Sequence, residues 1–256
     1  MNRIQSLGTN IAIALLSGTL AIAGCTTSPD TRSEETSAEE TSAEVISAEE
    51  TSVSSLTDSE LIPVGDSPIM GNPDAPVTIV EFTSMQCPFC AQGGEIMEAL
   101  VAHYPDEVRV VFKHFPLSFQ SQARPASIAA AAAGEQGMFW EMKSALFQNL
   151  NAYGQLPMEE LAAGLAEDLG LDVEQFRSDF HDPALAARVD RDHQLGGTLG
   201  VRGTPAFFVN GELVAGAQPL PEFISVVNRH LEVVEQLRSE GVADEDIYDM
   251  AVKRHH

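Results

Sequence analysis

The chain has 256 residues, and 38 acidic against 14 basic residues give it a formal net charge of −24. A surface this acidic repels phosphate backbones and anionic headgroups, which excludes nucleic acid as a partner class. With hydrophobic residues at 44%, the chain can bury a sizeable core in one large domain or two small ones.

The N-terminus reads as an address and not as fold. Asn2 and Arg3 form a weakly basic start, and an apolar run follows from Ile11 to Ile22, interrupted by Ser17, Gly18 and Thr19. The run is too short and broken for a membrane span of about 20 residues, and it fits the apolar region of an export signal over residues 1–24. It ends in "LAIAGC", Leu20 to Cys25, which resembles the lipobox of bacterial lipoproteins and implies cleavage before Cys25 and lipid on its sulfur. The alternative is an ordinary signal peptide that a cysteine happens to follow. The scarcity of cysteine, three in the whole chain, favours the lipoprotein. An exported chain meets conditions in which disulfides form and persist.

Residues 25–62 read as a tether. "EETSA" at Glu34–Ala38 repeats at Glu39–Ala43 and degrades to "EVISA" and "EETSV" by Val53. Its period matches neither helix nor strand. Its apolar content is too low, and its like charges too many, to offset the entropy of ordering.

The folded part is expected over 63–240, with an extension over 241–256. Turn signals in "GNPDAP", Gly71 to Pro76, introduce a strand over Val77–Phe82 whose apolar run suits burial on both faces. A helix from Pro88 to about Tyr104 follows, weakened locally by Gly93 and Gly94. "VRVVFKHF", Val108–Phe115, is a second strand, which completes a βαβ unit with parallel strands. A helical block is expected over about 118–198, with Phe139, Trp140 and Phe147 in its core, a break near Gly134–Gly137, and helices over Pro157–Leu169, Val173–Phe180 and Pro183–Leu195. "AFFVNGELVAGA" is a hairpin turning at Asn210–Gly211. A long helix over Pro221–Ser239, stopped by Gly241, and a short one over Ala243–Val252 close the chain. The pattern predicts an α/β fold: a mixed central sheet with helices on both sides and an inserted helical subdomain.

Cys87-Pro88-Phe89-Cys90 falls where the first strand ends and the first helix begins. A helix start has free N–H groups and a partial positive charge, so a thiolate there is stabilised and its pKa falls, within roughly 3.5–7.5 for such motifs. Pro88 suits the first helical position because its missing N–H would have been free anyway. Two intervening residues bring the second sulfur within bonding reach, so Cys87 is expected to be exposed and nucleophilic and Cys90 buried and resolving. A zinc site is disfavoured, since no further cysteine remains beyond Cys25 and the histidines of the folded part form no close pair. A purely structural disulfide over so short a loop stabilises little.

"GNPDAPVTIVEFTSMQCPFC", "VRVVFKHFPL", "GEQGMFWEMKSALF" and "GVRGTPAFFVNG" occur in that order. Together they resemble the DsbA-like thiol–disulfide oxidoreductases of the thioredoxin superfamily, from about Pro63 to about Leu231. The resemblance implies a thioredoxin fold with a helical insertion and the following roles. Cys87 attacks and Cys90 resolves, and Pro88 and Phe89 between them contact substrate. Pro205 is a cis-proline whose loop, with Thr204 before it, positions a substrate strand. Glu81 is an acid beneath the site that exchanges protons with Cys90, and Lys113 is a candidate charge partner for it. One departure stands out: the strongly oxidising members carry histidine where this chain has Phe89, so a less oxidising disulfide is expected here.

The expected function is an exported, lipid-anchored enzyme at the extracytoplasmic face of the cell envelope. It would exchange disulfides with cysteine-containing exported proteins and a membrane redox partner, with no cofactor or metal and with a monomer as the default. The direction of electron flow is open among oxidase, isomerase and reductase. The competing reading is a lipoprotein that holds Cu(I) on its thiol pair or chaperones partners without turnover; Met85 and Met97 are close in sequence to the pair, but Met97 fits the helix core.

Overall fold

The computed structural model describes residues 62–254. The expected signal segment, Cys25, the tether up to its last residue, and the terminal His255 and His256 lie outside the described residues. Five strands and eight α-helices follow in chain order: β1 (Ile69–Gly71), β2 (Val77–Thr83), α1 (Pro88–His103), β3 (Val108–His114), α2 (Ala123–Gly134), α3 (Phe139–Gln148), α4 (Met158–Asp168), α5 (Val173–Phe180), α6 (Pro183–Thr198), β4 (Ala206–Val209), β5 (Glu212–Ala215), α7 (Leu220–Ser239) and α8 (Ile247–Lys253).

The strands form one mixed sheet in the order β1-β3-β2-β4-β5, with β2 and β3 parallel and the other pairs antiparallel. All seven residues of β2 are buried, Thr78, Glu81 and Thr83 among them, as befits a central strand. Strand β1 has no sequence signal of its own: its three residues precede the turn at Asn72–Ala75 and pair with β3 at Met70↔Val110. The β4–β5 turn has the two residues with φ above zero that its Asn-Gly sequence predicts, Asn210 at 42° and Gly211 at 94°. Asn210 also accepts from the backbone of Thr78 through its side chain at 2.8 Å, which ties the turn to the start of β2.

Alternation along the strands sorts the core. Val77 and Ile79 of β2, Val108 and Val110 of β3, and Phe207 and Val209 of β4 pack with Met97 and Leu100 of α1 and with Phe223, Val227 and Val234 of α7. Ile247 and Ala251 of α8 join the same cluster. Val80, Phe82, Val111 and Phe208 form the opposite face, on which α6 lies. There a methyl group on Gly196 would come within 2.6 Å of the Phe115 ring, so only glycine lets α6 approach. The helices between β3 and β4 build a third cluster around α2, whose buried alanines 129–133 make it thin enough to be surrounded. Phe139 lies in this cluster, with Trp140 and Phe147 half-buried at its margin.

Candidate active site

The parallel register Thr83↔His114 delivers the segments after β2 and β3 to one edge of the sheet, and the antiparallel register Phe82↔Ala206 brings the start of β4 to the same edge. Cys87 sits between the two flanking loops. It caps α1 with an extended backbone, φ −97° and ψ 117°, and Pro88 occupies the first turn. The N–H groups of Cys90 and Ala91 turn back to its carbonyl at 3.0 and 3.4 Å.

Both cysteines are free thiols. The thiol of Cys90 hydrogen-bonds to the Cys87 sulfur and is the largest cause of a Cys87 pKa lowered from 9.0 to about 6. Burial opposes this lowering, and Thr204 and the backbone N–H groups of Cys90 and Phe89 add to it. Cys90 is pushed the other way, far above an ordinary thiol, first by burial and then by the neighbouring Cys87. One sulfur is therefore an anion at neutral pH and its neighbour a proton donor to it.

The Cys87 thiol also lies 3.4 Å from the Thr204 carbonyl, and the Thr204–Pro205 peptide is cis. This loop covers Cys87, which keeps only 5% of its exposure against none for Cys90. The expectation of an exposed Cys87 is corrected accordingly: β4 pairs with β2 and carries Thr204 over the sulfur, a contact between residues far apart in the chain. Pro88 and Phe89 are exposed, Phe89 by 67%.

Glu81 is fully buried on the face of β2 that α1 covers. It accepts a 2.6 Å hydrogen bond from the Thr83 hydroxyl and pairs with the Lys143 ammonium at 3.5 Å. Lys113 is not its partner. In the parallel register Lys113 lies beside Phe82, on the other face of the sheet, and it pairs with Asp192 of α6 at 3.4 Å. The partner comes instead from α3 in the helical insertion.

Gly93 and Gly94, read from sequence as helix-weakening, make the site possible. A methyl group on Gly93 would lie 3.2 Å from the Pro205 ring and 3.1 Å from Phe207. One on Gly94 would lie 3.0 Å from the Lys143 ammonium. The ammonium also lies 5.0 Å from the Trp140 ring centre and 5.5 Å from that of Phe112. It lines a cavity of about 420 Å³ between α1 and α3, together with Ala91, Glu95 and Trp140. The sequence signal for Lys143 was its place four residues after Phe139 in an amphipathic helix, but nothing local says which strand that face meets.

Met85 and Met97 are fully buried in separate core clusters. Among the described residues no group of three or more His, Cys, Asp or Glu is placed to hold a metal ion, and no helix is long and apolar enough to cross a membrane.

A family model described as Thioredoxin matches residues 64–229. A thioredoxin-like oxidoreductase from Silicibacter pomeroyi is 31% identical, with a TM-score of 0.58 over 68% of this chain and 97% of that one. DsbA1 of Wolbachia pipientis superimposes with a TM-score of 0.60 over 78% of this chain and all of its own, at 20% identity, a likeness of fold. Among curated proteins, the Na⁺/H⁺ antiporter NhaA of Herminiimonas arsenicoxydans is 38% identical over 149 residues, which are 58% of this chain and 23% of the antiporter. The NhaA 3 antiporter of Salinispora tropica is 35% identical over 70% of this chain and 26% of its own. The chain thus spans about a quarter of the length of these curated relatives. A family match over most of the folded residues, on a mixed sheet with its helical insertion between β3 and β4, places the chain in the thioredoxin family, with the fold of the DsbA-like thiol–disulfide oxidoreductases.

Proposed function

We propose that this protein exchanges disulfides with cysteine-containing polypeptides through Cys87 and Cys90. The observation that carries the reading is the placement of both thiols at one helix start: Cys87 caps α1 with its sulfur 3.4 Å from the carbonyl of the cis Thr204–Pro205 peptide, and Cys90 is fully buried; the lowered pKa of Cys87 and the raised one of Cys90 accord with it. In the reducing direction the Cys87 thiolate attacks one sulfur of a substrate disulfide. A bond forms between them, and the other substrate sulfur leaves as a thiolate. Cys90 then gives up its proton and attacks Cys87, closing the Cys87–Cys90 bond and releasing the second substrate sulfur. Two electrons pass to the substrate, and the reverse sequence oxidises a substrate dithiol. Burial makes the Cys90 proton hard to remove, so a nearby base is needed; Glu81, buried under α1 and held by Thr83 and Lys143, is proposed for it. The Thr204 carbonyl beside the sulfur is suited to holding an extended substrate backbone. No organic cofactor or metal is required.

The export-like N-terminus supports an extracytoplasmic site of action, with lipid on Cys25 as the membrane anchor and a membrane redox protein as electron partner. Ion transport is not carried over from the antiporters, because the match covers only about a quarter of them.

The test is turnover: refolding of a reduced, disulfide-requiring protein, or reduction of a protein disulfide, with Cys87→Ser and Cys90→Ser beside the parent. Cys87→Ser should abolish both directions, and Cys90→Ser should accumulate a mixed disulfide on Cys87. Stoichiometric Cu(I) uptake with no exchange in either direction would replace this reading with a metal-binding one.

A further inference from the structure

Four segments meet at the edge of the sheet that holds Cys87: residues 82–94 leaving β2, residues 112–134 leaving β3, residues 193–206 entering β4 and residues 214–221 leaving β5. The Gly216 N–H donates to the Pro205 carbonyl at 2.9 Å, which puts the last of them beside the cis peptide. None of the four contains an Asp or Glu, in a chain that has 38. Glu81, immediately before the first, is buried and paired with Lys143, and carboxylates resume only at Glu95, Glu135 and Glu222. The acidity that covers this protein therefore stops where its strands present the thiols.

Three Lys or Arg side chains stand on the same segments. Lys113 is taken by Asp192 at 3.4 Å and Arg124 by Asp190 at 2.8 Å. Arg202 is exposed and makes no ion pair among the described residues. Its backbone is fixed on both sides. Val201 is buried and donates its N–H to the Gly196 carbonyl at 2.9 Å, and the Thr204 carbonyl lies 3.4 Å from the Cys87 sulfur. With carboxylates at 38 against 14 cations, an exposed guanidinium without a partner is one that the fold keeps apart from its own acids. A guanidinium matches a carboxylate through two parallel hydrogen bonds. An anionic polypeptide is repelled by the net charge of this chain and meets the least repulsion at this edge.

We propose that Arg202 is a specificity-determining residue that selects polypeptide segments bearing a carboxylate close to the reacting cysteine, and that the acid-free edge is what admits them. This inference rests on the exchange reading above and names its substrates: cysteine-containing segments of acidic proteins, which the rest of this surface turns away. Val201 and its bond to Gly196 hold Arg202 in register with the sulfur.

The experiment uses the oxidised protein and two one-cysteine peptides that differ only in aspartate or asparagine two residues from the cysteine, with glutathione as a small-molecule source of the same charge. A thiolate attacks the Cys87 sulfur, the Cys87–Cys90 bond breaks and Cys90 leaves and takes a proton. A second thiolate then attacks the first thiol's sulfur in the mixed disulfide and releases Cys87, so two electrons pass to the protein and the two thiols leave as a disulfide. Aspartate also changes the thiol of its own peptide, so the quantity read is the aspartate-to-asparagine rate ratio compared between proteins, in which that factor cancels. At low salt Arg202→Gln should lower this ratio about threefold from the parent value, the scale of one exposed ion pair. Arg202→Lys should keep most of it, Arg202→Glu should lower it further, and salt at about 1 M should remove the difference between parent and Arg202→Gln. An equal ratio in parent and Arg202→Gln, or a difference that salt leaves untouched, overturns the assignment of Arg202 while leaving exchange intact. So does a dependence on Arg202 seen with glutathione and absent from the peptides. If the parent oxidises none of the three thiols, the exchange reading itself fails and this inference falls with it.

Discussion

Gly94 of α1 and Lys143 of α3 are in direct apposition: a methyl group on the glycine would come 3.0 Å from the ammonium, which in turn lies 3.5 Å from the buried Glu81 carboxylate. The helix that presents the cysteines thus has a notch for a cation brought by the helical insertion. A carboxylate inside the fold, on the face of β2 that α1 covers, is neutralised from outside the βαβ unit that carries it.

Removing one charge from this pair leaves the other buried and unpaired. Lys143→Met should therefore lower stability by about 3 kcal/mol. Glu81→Gln together with Lys143→Met should recover much of that loss, because neither charge is then stranded. Denaturant unfolding of the two single variants and the double variant measures the coupling. Additive losses would show that the pair is not energetically linked.

The two glycines should respond differently to alanine. On an exposed helix face, glycine to alanine gains up to about 1 kcal/mol. Gly93→Ala should fail to give that gain, since its methyl meets the Pro205 ring and Phe207 at 3.2 and 3.1 Å. It should also slow exchange by pushing the Thr204–Pro205 loop away from Cys87. Gly94→Ala meets the far end of a flexible side chain and can be accommodated by moving Lys143, so its cost should appear as loss of the Glu81 pair. Thermal unfolding alongside exchange rates separates the two cases, and equal behaviour at both positions would contradict this account.

Alkylation of the reduced protein should report the lowered pKa of Cys87. The thiolate is the reactive form, so the rate should rise with pH through a midpoint near 6 and then level off, where an ordinary thiol would still be climbing toward 9.0. The sign for stability follows. Relative to an unfolded chain with an ordinary thiol, the folded dithiol gains nothing from Cys87 below pH 6 and gains progressively as pH rises from 6 toward 9. The stability of the reduced form should therefore rise relative to that of the oxidised form over that interval. Melting of both redox forms between pH 5 and 8 checks it, and a reduced form that loses stability relative to the oxidised one as pH rises would reverse the sign.

His114 should carry part of the acid sensitivity. Its ring is 1% exposed, set edge-on to Phe112 and Phe139, and burial first, then Arg188 and Lys113, lower its pKa from 6.5 to about 3. The unfolded chain takes up this proton near 6.5 and the folded chain only near 3, so stability should fall as pH drops through that window. His114→Phe, which keeps an aromatic ring among aromatic rings, should flatten the slope of melting temperature between pH 6.5 and 4. An unchanged slope would assign the acid sensitivity to other groups.

Much of this molecule is set by local rules. The apolar run of β2, the Pro88 helix start, the Asn210–Gly211 turn and the alternating helices of the insertion are matters of periodicity, capping and backbone freedom, which act between near neighbours and so can be read from one sequence. The cysteine pair at a strand-to-helix junction is equally local. Strand β1 was not legible, because three residues carry no period and pair only because β3 is there to receive them. Lys113 was the wrong partner for Glu81 because strand parity, invisible until the register is known, puts it on the other face. Lys143, the cover of Thr204 over Cys87, and the fit of Gly93 to Pro205 and Gly94 to Lys143 depend on which surfaces meet across the fold. By itself the sequence determined the elements other than β1, their order and the sulfur chemistry at one helix start. Only the tertiary structure decided what covers that sulfur and what neutralises Glu81, because pKa values, charge pairing and access are set by groups within a few ångströms, and here those groups arrive from the loop before β4 and from α3.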